Sequence, residues 1–417
     1  MWQVTDDWDN RIQDGVQAAY RVIDSCVSAA VSSLGSSDAP RRSVDDGSTT
    51  VLISFSNPLG WSRYEMATVP STTANVVITD PEGQSVPYDA LPHVESSQLV
   101  SPSFIEHSAQ YRAGAPVLNY ELIFPVSVPA LGFAVYTITA ASASGAPHRQ
   151  SFTEVEDRKA ESDVVIDNDV LQVTFSAATG RLSQLVDKRV PKSEPLATLT
   201  LDGDYLNYTG PGVLLFEGAY VFNPHGPPLP VLPASTSVAL SVTQGKFITR
   251  VTQLWSSTVK SVSTVYQCHP ACQPGAQPPV SASALCTQCD MVHVTSTLGS
   301  LYDVTQDIVL RYSMNASSAS ESEQRDQDPM SASTLYTVEN GFQSVARAHR
   351  GGAEALVSGN FFPMPAAAYL RSAQTPKSRY AYGTLSLRAI GIMCGINYTG
   401  APCLQRSTGL SVQHRDG

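Results

Sequence analysis

The sequence predicts a mostly β protein in which two β-sandwich domains follow one long helix. Charged residues make up only 15% of the 417-residue chain, while Val, Thr, Ser and Pro are abundant, as is typical of strand-rich proteins with many turns. Strand-like runs separated by turn signals continue from residue 51 almost to the C-terminus. Two or more domains are expected, since single cores stop growing at roughly 250–300 residues.

The opening residues 1–35 are predicted to form one amphipathic helix. Apolar residues recur three or four positions apart from Val4 to Leu34, acidic residues lie at the N-terminal end, and Gly35 marks the stop. Such a helix buries its apolar stripe against other helices or a sheet. Since no comparable helical pattern occurs downstream, we interpret it as one helix of an incomplete bundle.

Changes in composition divide the rest of the chain. A second polar, small-residue stretch lies at residues 141–162, after the linker that follows the helix. We therefore predict a small β domain over residues 51–142 and a large β domain over residues 160–417. Within the large domain, residues 163–175 are predicted to form strand, turn and strand, and Gly180 closes a further hairpin.

Charge and hydropathy exclude several classes of protein. The net charge is −11, and no basic run is longer than Arg41-Arg42, which argues against a nucleic-acid partner because phosphate binding needs clustered cations. No basic and then apolar segment opens the chain as a signal peptide would. The uncharged stretch at residues 122–147 contains several Pro, Gly, Ser and Thr residues, so we predict strands there and no membrane span.

Three acceptor sequons begin at Asn207, Asn315 and Asn397. We predict that these asparagines are glycosylated, which fits passage through the secretory route. Seven cysteines leave at least one unpaired if the others form disulfides, so counting them does not decide the redox compartment.

The tract at residues 211–228 holds many residues with special conformational roles. It combines a buried-strand run, a Gly-Ala pair, the aromatic residues Tyr220 and Phe222, and a proline-rich exit. It resembles the Gly-Ala-Tyr-x-Phe-x-Pro tract of family 38 glycoside hydrolases, the zinc-dependent α-mannosidases. Other segments similar to the family's occur in the same order, at residues 3–12, 55–63, 129–133, 175–188, 336–343 and 359–363.

This resemblance covers only the C-terminal half of the family enzyme. It implies a small β domain and a large galactose-mutarotase-like sandwich, with the zinc ligands and the aspartate nucleophile in a missing N-terminal catalytic domain. It further implies hydrolysis of terminal α-mannosyl residues of glycans with retention, in a lysosome, vacuole or other secretory compartment. The chain would supply a wall of the cleft, and alone it should be inactive.

Two residues are candidate sugar contacts through the resemblance alone. Tyr220 matches a family tyrosine whose hydroxyl faces the cleft, and Arg379 lies within two positions of a family arginine at the same cleft. Without the family, Tyr220 reads as a core or interface tyrosine with a satisfied hydroxyl.

The acidic residues offer no catalytic pair. A retaining glycosidase needs two carboxyl groups roughly 5–5.5 Å apart. Two pairs of aspartates, Asp167 with Asp169 and Asp202 with Asp204, each flank one residue at a predicted turn. We interpret all four as solvated turn carboxylates.

Cys268, Cys272, Cys286 and Cys289 have a spacing that also occurs in zinc ribbons. They lie in a Pro- and Ser-rich stretch that replaces a strand of the family, so we favour an inserted loop in which these cysteines have no structural role. Disulfides and a zinc site are the alternatives.

The end of the chain also departs from the family after Thr384. We therefore expect a large sandwich that lacks edge strands and a chain of poor solubility. The alternative function is a non-catalytic module that binds carbohydrate or protein through aromatic side chains such as Tyr220, Phe222 and Trp61.

Overall fold

The computed structural model describes the chain in segments. The described residues are 18, 22, 50–92, 119–141, 149–150, 153–158, 162–189, 198–209, 227–233, 235–272, 288–298, 306–315, 334–339, 343–348, 362, 367–371, 383–391 and 404–414. Of the predicted opening helix they include only Ala18 and Val22, both helical and exposed, so that helix stays a prediction. No helix among these residues is long and apolar enough to span a membrane.

The first seven strands form a small sandwich. Its strands are β1 (Thr50–Asn57), β2 (Arg63–Ser71), β3 (Val76–Thr79), β4 (Tyr88–Pro92), β5 (Tyr120–Val128), β6 (Gly132–Ala140) and β7 (Arg149–Gln150). One sheet has the order β1-β6-β3 and the other β2-β5-β4-β7. Tyr88, Phe124 and Ile138 are fully buried between them. The alternation of apolar and polar residues along these strands places one face of each sheet in this core.

The remaining strands form a large sandwich. They are β8 (Thr153–Arg158), β9 (Val164–Asp167), β10 (Leu171–Phe175), β11 (Leu182–Asp187), β12 (Thr198–Thr209), β13 (Leu229–Pro230), β14 (Ala239–Gln244), β15 (Ile248–Leu254), β16 (Val259–Tyr266), β17 (Met291–Leu298), β18 (Gln306–Asn315), β19 (Thr334–Glu339), β20 (Gln343–Ala348), β21 (Ala367–Arg371), β22 (Gly383–Gly391) and β23 (Leu404–His414).

Two sheets enclose the core of the large sandwich. The smaller sheet has the order β13-β12-β11-β10-β9, with β18 on the other side of β12, and the larger has the order β20-β19-β21-β22-β23-β17-β16-β15-β14-β8. Val173 and Phe175 from the smaller sheet pack with Val251, Val265 and Val292 from the larger, all fully buried. The mostly β fold predicted from composition and turn spacing is therefore confirmed.

Both ends of the large sandwich differ from the simple sequence prediction. The stretch predicted as a boundary contains β7, which pairs with β4 of the small sandwich, and β8, which pairs with β14 of the large one. At the C-terminal end, β23 pairs with β17 on one side and β22 on the other. The segment that departs from the family thus supplies an interior strand of this sheet, and the expected lack of edge strands stays a prediction.

The hairpins predicted at the start of the large sandwich are present. Gly180 closes the β10–β11 hairpin with a positive φ of 67°, a conformation that favours glycine. A Cβ at this position would lie 2.2 Å from the carbonyl oxygen of Val238. The glycine therefore serves both the turn and the close approach of a neighbouring loop.

Asn57 connects two of the family-like segments, which are distant in sequence but adjacent in the fold. Its buried side-chain amide donates hydrogen bonds to the carbonyls of Trp61 (2.7 Å) and Pro129 (2.9 Å). Leu131, with a φ of 50°, donates its backbone N–H to the carbonyl of Leu59 at 2.8 Å. The segments at residues 55–63 and 129–133 thus form one turn structure at the end of the small sandwich.

The two sandwiches are joined by a buried polar contact. Asp89 of β4 is fully buried and accepts hydrogen bonds from the backbone N–H groups of Lys246 (3.0 Å) and Phe247 (2.7 Å), in the β14–β15 turn. Burial raises the pKa of Asp89, and these backbone hydrogen bonds oppose the rise. A Cβ on Gly245 would lie 2.3 Å from Oδ2 of this carboxylate. Only glycine therefore allows the turn to approach so closely.

Apolar and ionic contacts surround this carboxylate. Met66, Leu91 and Ile123 of the small sandwich pack against Phe247 and Ile248 of the large one. Beside them, Glu121 forms an ion pair of 2.5 Å with Arg250, and both side chains are mostly buried. The small sandwich is thus seated on the β14–β16 side of the large one.

Candidate functional site

Tyr220 and Arg379 lie outside the described residues, but the strands that flank the tract carrying Tyr220 are described. The tract begins after β12 and ends at β13, and these strands pair in antiparallel register at Leu206–Pro230 and Asn207–Leu229. Val231 also donates its N–H to the carbonyl of Tyr205 at 2.8 Å. The strands on either side of the tract are therefore neighbours in the same sheet.

A group of aromatic residues lies beneath this anchoring point. The rings of Tyr205 and Trp255 are 5.0 Å apart, edge to face. Trp255 donates its indole N–H to Ser261 Oγ at 2.9 Å, and the hydroxyl of Tyr205 hydrogen-bonds that of Ser296. Burial raises the pKa of Tyr205 to about 12, so this phenol stays protonated at any physiological pH. The polar atoms of both side chains are thus hydrogen-bonded within the protein, so neither residue is a candidate catalytic acid or base.

Two aspartates of β12 form ion pairs with two arginines from neighbouring parts of the fold. Arg181 Nη1 is 3.6 Å from a carboxylate oxygen of Asp202 and 3.4 Å from one of Asp204, and Arg311 Nη2 is 3.5 Å from Asp204. The Arg181 guanidinium also lies 5.6 Å from the Trp255 ring centroid, a cation–π contact. We call Arg181, Asp202, Asp204, Arg311, Tyr205 and Trp255 the β12 cluster.

This arrangement corrects the interpretation of Asp204 as a solvated turn residue. Asp202, Gly203 and Asp204 lie within β12, where the Asp204 side chain is 6% exposed and that of Asp202 is 55% exposed. A buried carboxylate is tolerated only when it is paired, and two arginines neutralise this one. The pair is therefore part of a structural ion network and lacks the free acid and nucleophile of a glycosidase.

The β12 cluster retains some unsatisfied hydrogen-bonding capacity. Within the described part of the chain, Arg181 Nε and Nη2 and Asp204 Oδ1 are buried without a hydrogen-bond partner. Such groups weaken the fold unless a water or another residue meets them. Substitutions that remove the charge of Arg181 or of Asp204 should therefore lower the free energy of unfolding strongly.

Asp167 and Asp169 match their sequence interpretation. Both are exposed at the β9–β10 turn, and Asp167 pairs with Lys188 at 2.6 Å. Asn168 between them is buried, and its side-chain amide donates hydrogen bonds to the carbonyls of Tyr266 (2.8 Å) and Cys289 (2.9 Å). The asparagine is thus the structural residue of this turn.

The cysteines correct the favoured interpretation of their segment. Cys268 and Cys289 form a disulfide with their Cα atoms 5.0 Å apart, and Cys272 is also disulfide-bonded. Cys286 lies outside the described residues. A disulfide sulfur is not a thiolate ligand, and no cluster of His, Cys, Asp and Glu suited to a metal occurs among the described residues. Cys268, Cys272 and Cys289 are therefore not available as zinc ligands, and the structure supports the disulfide alternative for this segment.

The acceptor asparagines lie in different surroundings. Asn207 and Asn315 are within β12 and β18, and the side-chain oxygen of Asn207 is buried. A glycan needs an exposed amide, so this geometry is unfavourable for Asn207. Asn397 lies outside the described residues, and glycosylation at all three stays a prediction.

Comparison with known proteins decides the family. The sequence model of the glycosyl hydrolases family 38 C-terminal domain matches residues 166–392, more than half of the chain. This chain belongs to glycosyl hydrolase family 38. The lysosomal alpha-mannosidase-like central domain matches residues 96–138. The order of the two matches follows the small and large sandwiches.

Individual relatives of this family 38 chain are named alpha-mannosidases. An alpha-mannosidase of Canavalia ensiformis is 28% identical over 232 residues, which are 54% of this chain and 22% of the relative. A lysosomal alpha-mannosidase of Mus musculus is 25% identical over 228 residues, 54% of this chain and 20% of the relative. The aligned part therefore spans about a fifth of the length of these relatives.

Several structural residues escaped sequence reasoning. Asp89, Arg181 and Gln288 each act through partners far away in sequence, and no local pattern marks them. The Asp-Gly-Asp at Asp204 looks like a turn because its neighbours in sequence are turn formers. Only the length of the surrounding apolar alternation, Leu199 to Leu206, hinted at a strand.

Proposed function

We propose that this chain forms the part of an α-mannosidase that walls the sugar cleft, while the nucleophile and metal ligands lie in an upstream portion. The match to the family 38 C-terminal domain over residues 166–392 carries the proposal. The chain then hydrolyses terminal α-mannosyl residues of glycans, with retention, only as part of the longer enzyme.

Tyr220 is the proposed sugar contact. The antiparallel pairing at Asn207–Leu229 holds both ends of its tract on the sheet, and the β12 cluster supports that sheet from below. A tyrosine in a tract whose flanking strands are fixed can donate its hydroxyl to a sugar oxygen while its ring excludes water. Arg379 is the proposed second contact, through a charge-assisted hydrogen bond.

Two observations support a lysosomal or vacuolar location. A relative is named a lysosomal alpha-mannosidase, and the Cys268–Cys289 disulfide suits an oxidising secretory route. Mannose-containing glycans are the proposed substrate class.

The test is reconstitution of activity. We expect no hydrolysis of an aryl α-mannoside by this chain alone, and measurable hydrolysis when it is co-expressed with the remaining portion of the Canavalia ensiformis relative. In the reconstituted enzyme, Tyr220→Phe should raise KM by up to about tenfold, the effect of one lost hydrogen bond. The matched control Tyr120→Phe, in the small sandwich, should leave KM unchanged. Turnover by the chain alone would overturn the proposal.

One observation favours the second candidate, a non-catalytic binding module. Trp61 and Leu131, which the Asn57 turn brings together, are 40% and 76% exposed, and Phe133 is also exposed. Exposed aromatic residues beside apolar ones are suited to stack on sugar or protein. Glycan binding by the isolated chain that is lost in Trp61→Ala, without turnover after reconstitution, would favour this candidate.

A further inference from the structure

The β16–β17 connection reaches across to the small sandwich from both of its described ends. Residues 267–272 follow β16, and residues 288–290 precede β17. In sequence this stretch looked like an insertion without a role. In the structure, Gln288 from one end and His269 from the other both touch the small sandwich.

Gln288 replaces a missing strand neighbour. Its Oε1 accepts the backbone N–H of Met66 at 2.6 Å, and its Nε2 donates to the Met66 carbonyl at 3.1 Å. Met66 lies on β2, which is an edge strand of its sheet, and Gln288 bonds both of its backbone polar groups. The primary amide therefore gives Met66 the donor and acceptor that a further strand would supply.

His269 adds a second contact on the same edge. Its ring lies 5.3 Å from the ring of Tyr64, and Nε2 lies 3.5 Å from Ser127 Oγ. Its Nδ1 accepts the backbone N–H of Ala271 at 3.0 Å, so the neutral ring carries its proton on Nε2. This tautomer points the N–H towards the small sandwich.

The disulfide joins the residues next to these two contacts. Cys268 directly precedes His269, and Cys289 directly follows Gln288. The side chain of Asn168 holds the carbonyls of Tyr266 and Cys289, which fixes the bonded pair to the large sandwich. The disulfide thus fixes the positions of Gln288 and His269 relative to the large sandwich.

We propose that the Cys268–Cys289 disulfide, with Gln288 and His269, is a clasp that adds to the other contacts between the two sandwiches and that acts only in the oxidised protein. Reduction by a dithiol passes two electrons and two protons to the cysteines, which become two thiols while the dithiol closes to a cyclic disulfide. Both cysteines are buried, so the clasp opens through local unfolding and is stable in an oxidising compartment. Gln288 then loses its fixed position opposite Met66.

Hydrogen exchange of the full chain tests the clasp. In Cys268→Ser/Cys289→Ser, and in wild-type protein treated with a dithiol, the Met66 amide should exchange at least tenfold faster, while the buried Val173 amide of the large sandwich keeps its rate. In oxidised protein, Gln288→Ala should speed exchange at Met66 in the same way. The matched control Gln267→Ala changes the same residue type in the same connection, and should leave Met66 exchange unchanged.

Two outcomes would overturn the clasp. Equal acceleration at Met66 and Val173 on reduction would make the disulfide a support of the large sandwich alone. An unchanged exchange rate of the Met66 amide in Gln288→Ala would show that Gln288 does not protect this amide, which would contradict the clasp. Gln288→Ala, which leaves every cysteine in place, keeps the test decisive even if the double cysteine variant fails to fold.

Discussion

Asp89 and Asp204 are both almost completely buried carboxylates, but different groups stabilise them. Asp89, between the two sandwiches, accepts two backbone N–H groups at 2.7 and 3.0 Å. Asp204, within the large sandwich, lies between two arginine side chains at 3.4 and 3.5 Å. The first contact depends on the exact path of the backbone and on Gly245, whereas the second depends on charge. The inter-sandwich contact should therefore be sensitive to shape, and the β12 cluster to loss of charge.

The largest effect is expected for Asp204→Ala. Removing this carboxylate leaves the buried Arg181 with the exposed Asp202 as its one ionic partner among the described residues, and breaking a buried pair costs about 3–5 kcal/mol. The control Asp202→Ala removes a half-exposed charge and should cost about 1 kcal/mol or less. Denaturant unfolding of both variants measures the difference, and equal losses would contradict the buried network.

Gly245→Ala should be the next most damaging change. The added Cβ would overlap the Asp89 carboxylate, and overpacking of this kind costs about 1–3 kcal/mol. At Gly60 a Cβ would meet nothing within 4 Å, so Gly60→Ala should change the unfolding free energy by about 0.5 kcal/mol or less.

The double variant Gly245→Ala/Asp89→Ala sharpens this comparison. Since alanine at position 89 removes the atoms that the new Cβ meets, the two effects should be strongly non-additive. Additive losses would show that the close approach is not what requires glycine.

Sequence patterns predicted much of the fold but little of these two regions. Turn chemistry located the β9–β10–β11 hairpins, because Gly180 and Asn168 act on their own neighbours in sequence. Asp204 was misjudged, because Arg311 approaches it only when β18 pairs with β12. The partner of Cys268 was equally hidden, since four cysteines allow several pairings until the chain folds.

The smallest effect concerns the pH dependence of stability that arises from His269, which contacts Ser127 of the small sandwich. Burial lowers the pKa of His269 to about 4, from about 6.5 when unfolded. Below pH 6.5 the unfolded chain binds this proton more readily than the folded chain, so stability falls from pH 6.5 towards 4 and then levels off. The lowered pKa of His293 acts in the same direction, and the raised pKa of Asp89 acts in the opposite one.

The variant His269→Gln isolates this contribution. It keeps a neutral polar side chain, so the loss of unfolding free energy between pH 6.5 and 4.5 should be smaller than in wild type by about 1–2 kcal/mol. His293 and Asp89 are present in both proteins and cancel in the comparison. Identical pH profiles would mean that His269 is not held neutral by its position.

The pairing of Asn207 with Leu229 has a consequence for how this fold can diversify. The chain between them departs and returns at directly opposed residues of two strands, so the distance its ends must span is fixed at about one strand spacing. Lengthening such a loop costs only about 0.6 kcal/mol per doubling in closure entropy. As far as chain closure is concerned, insertions, deletions or grafted sequences between these two strands are therefore tolerable for folding, so the sequence between them can change in length while the strand pairing is kept.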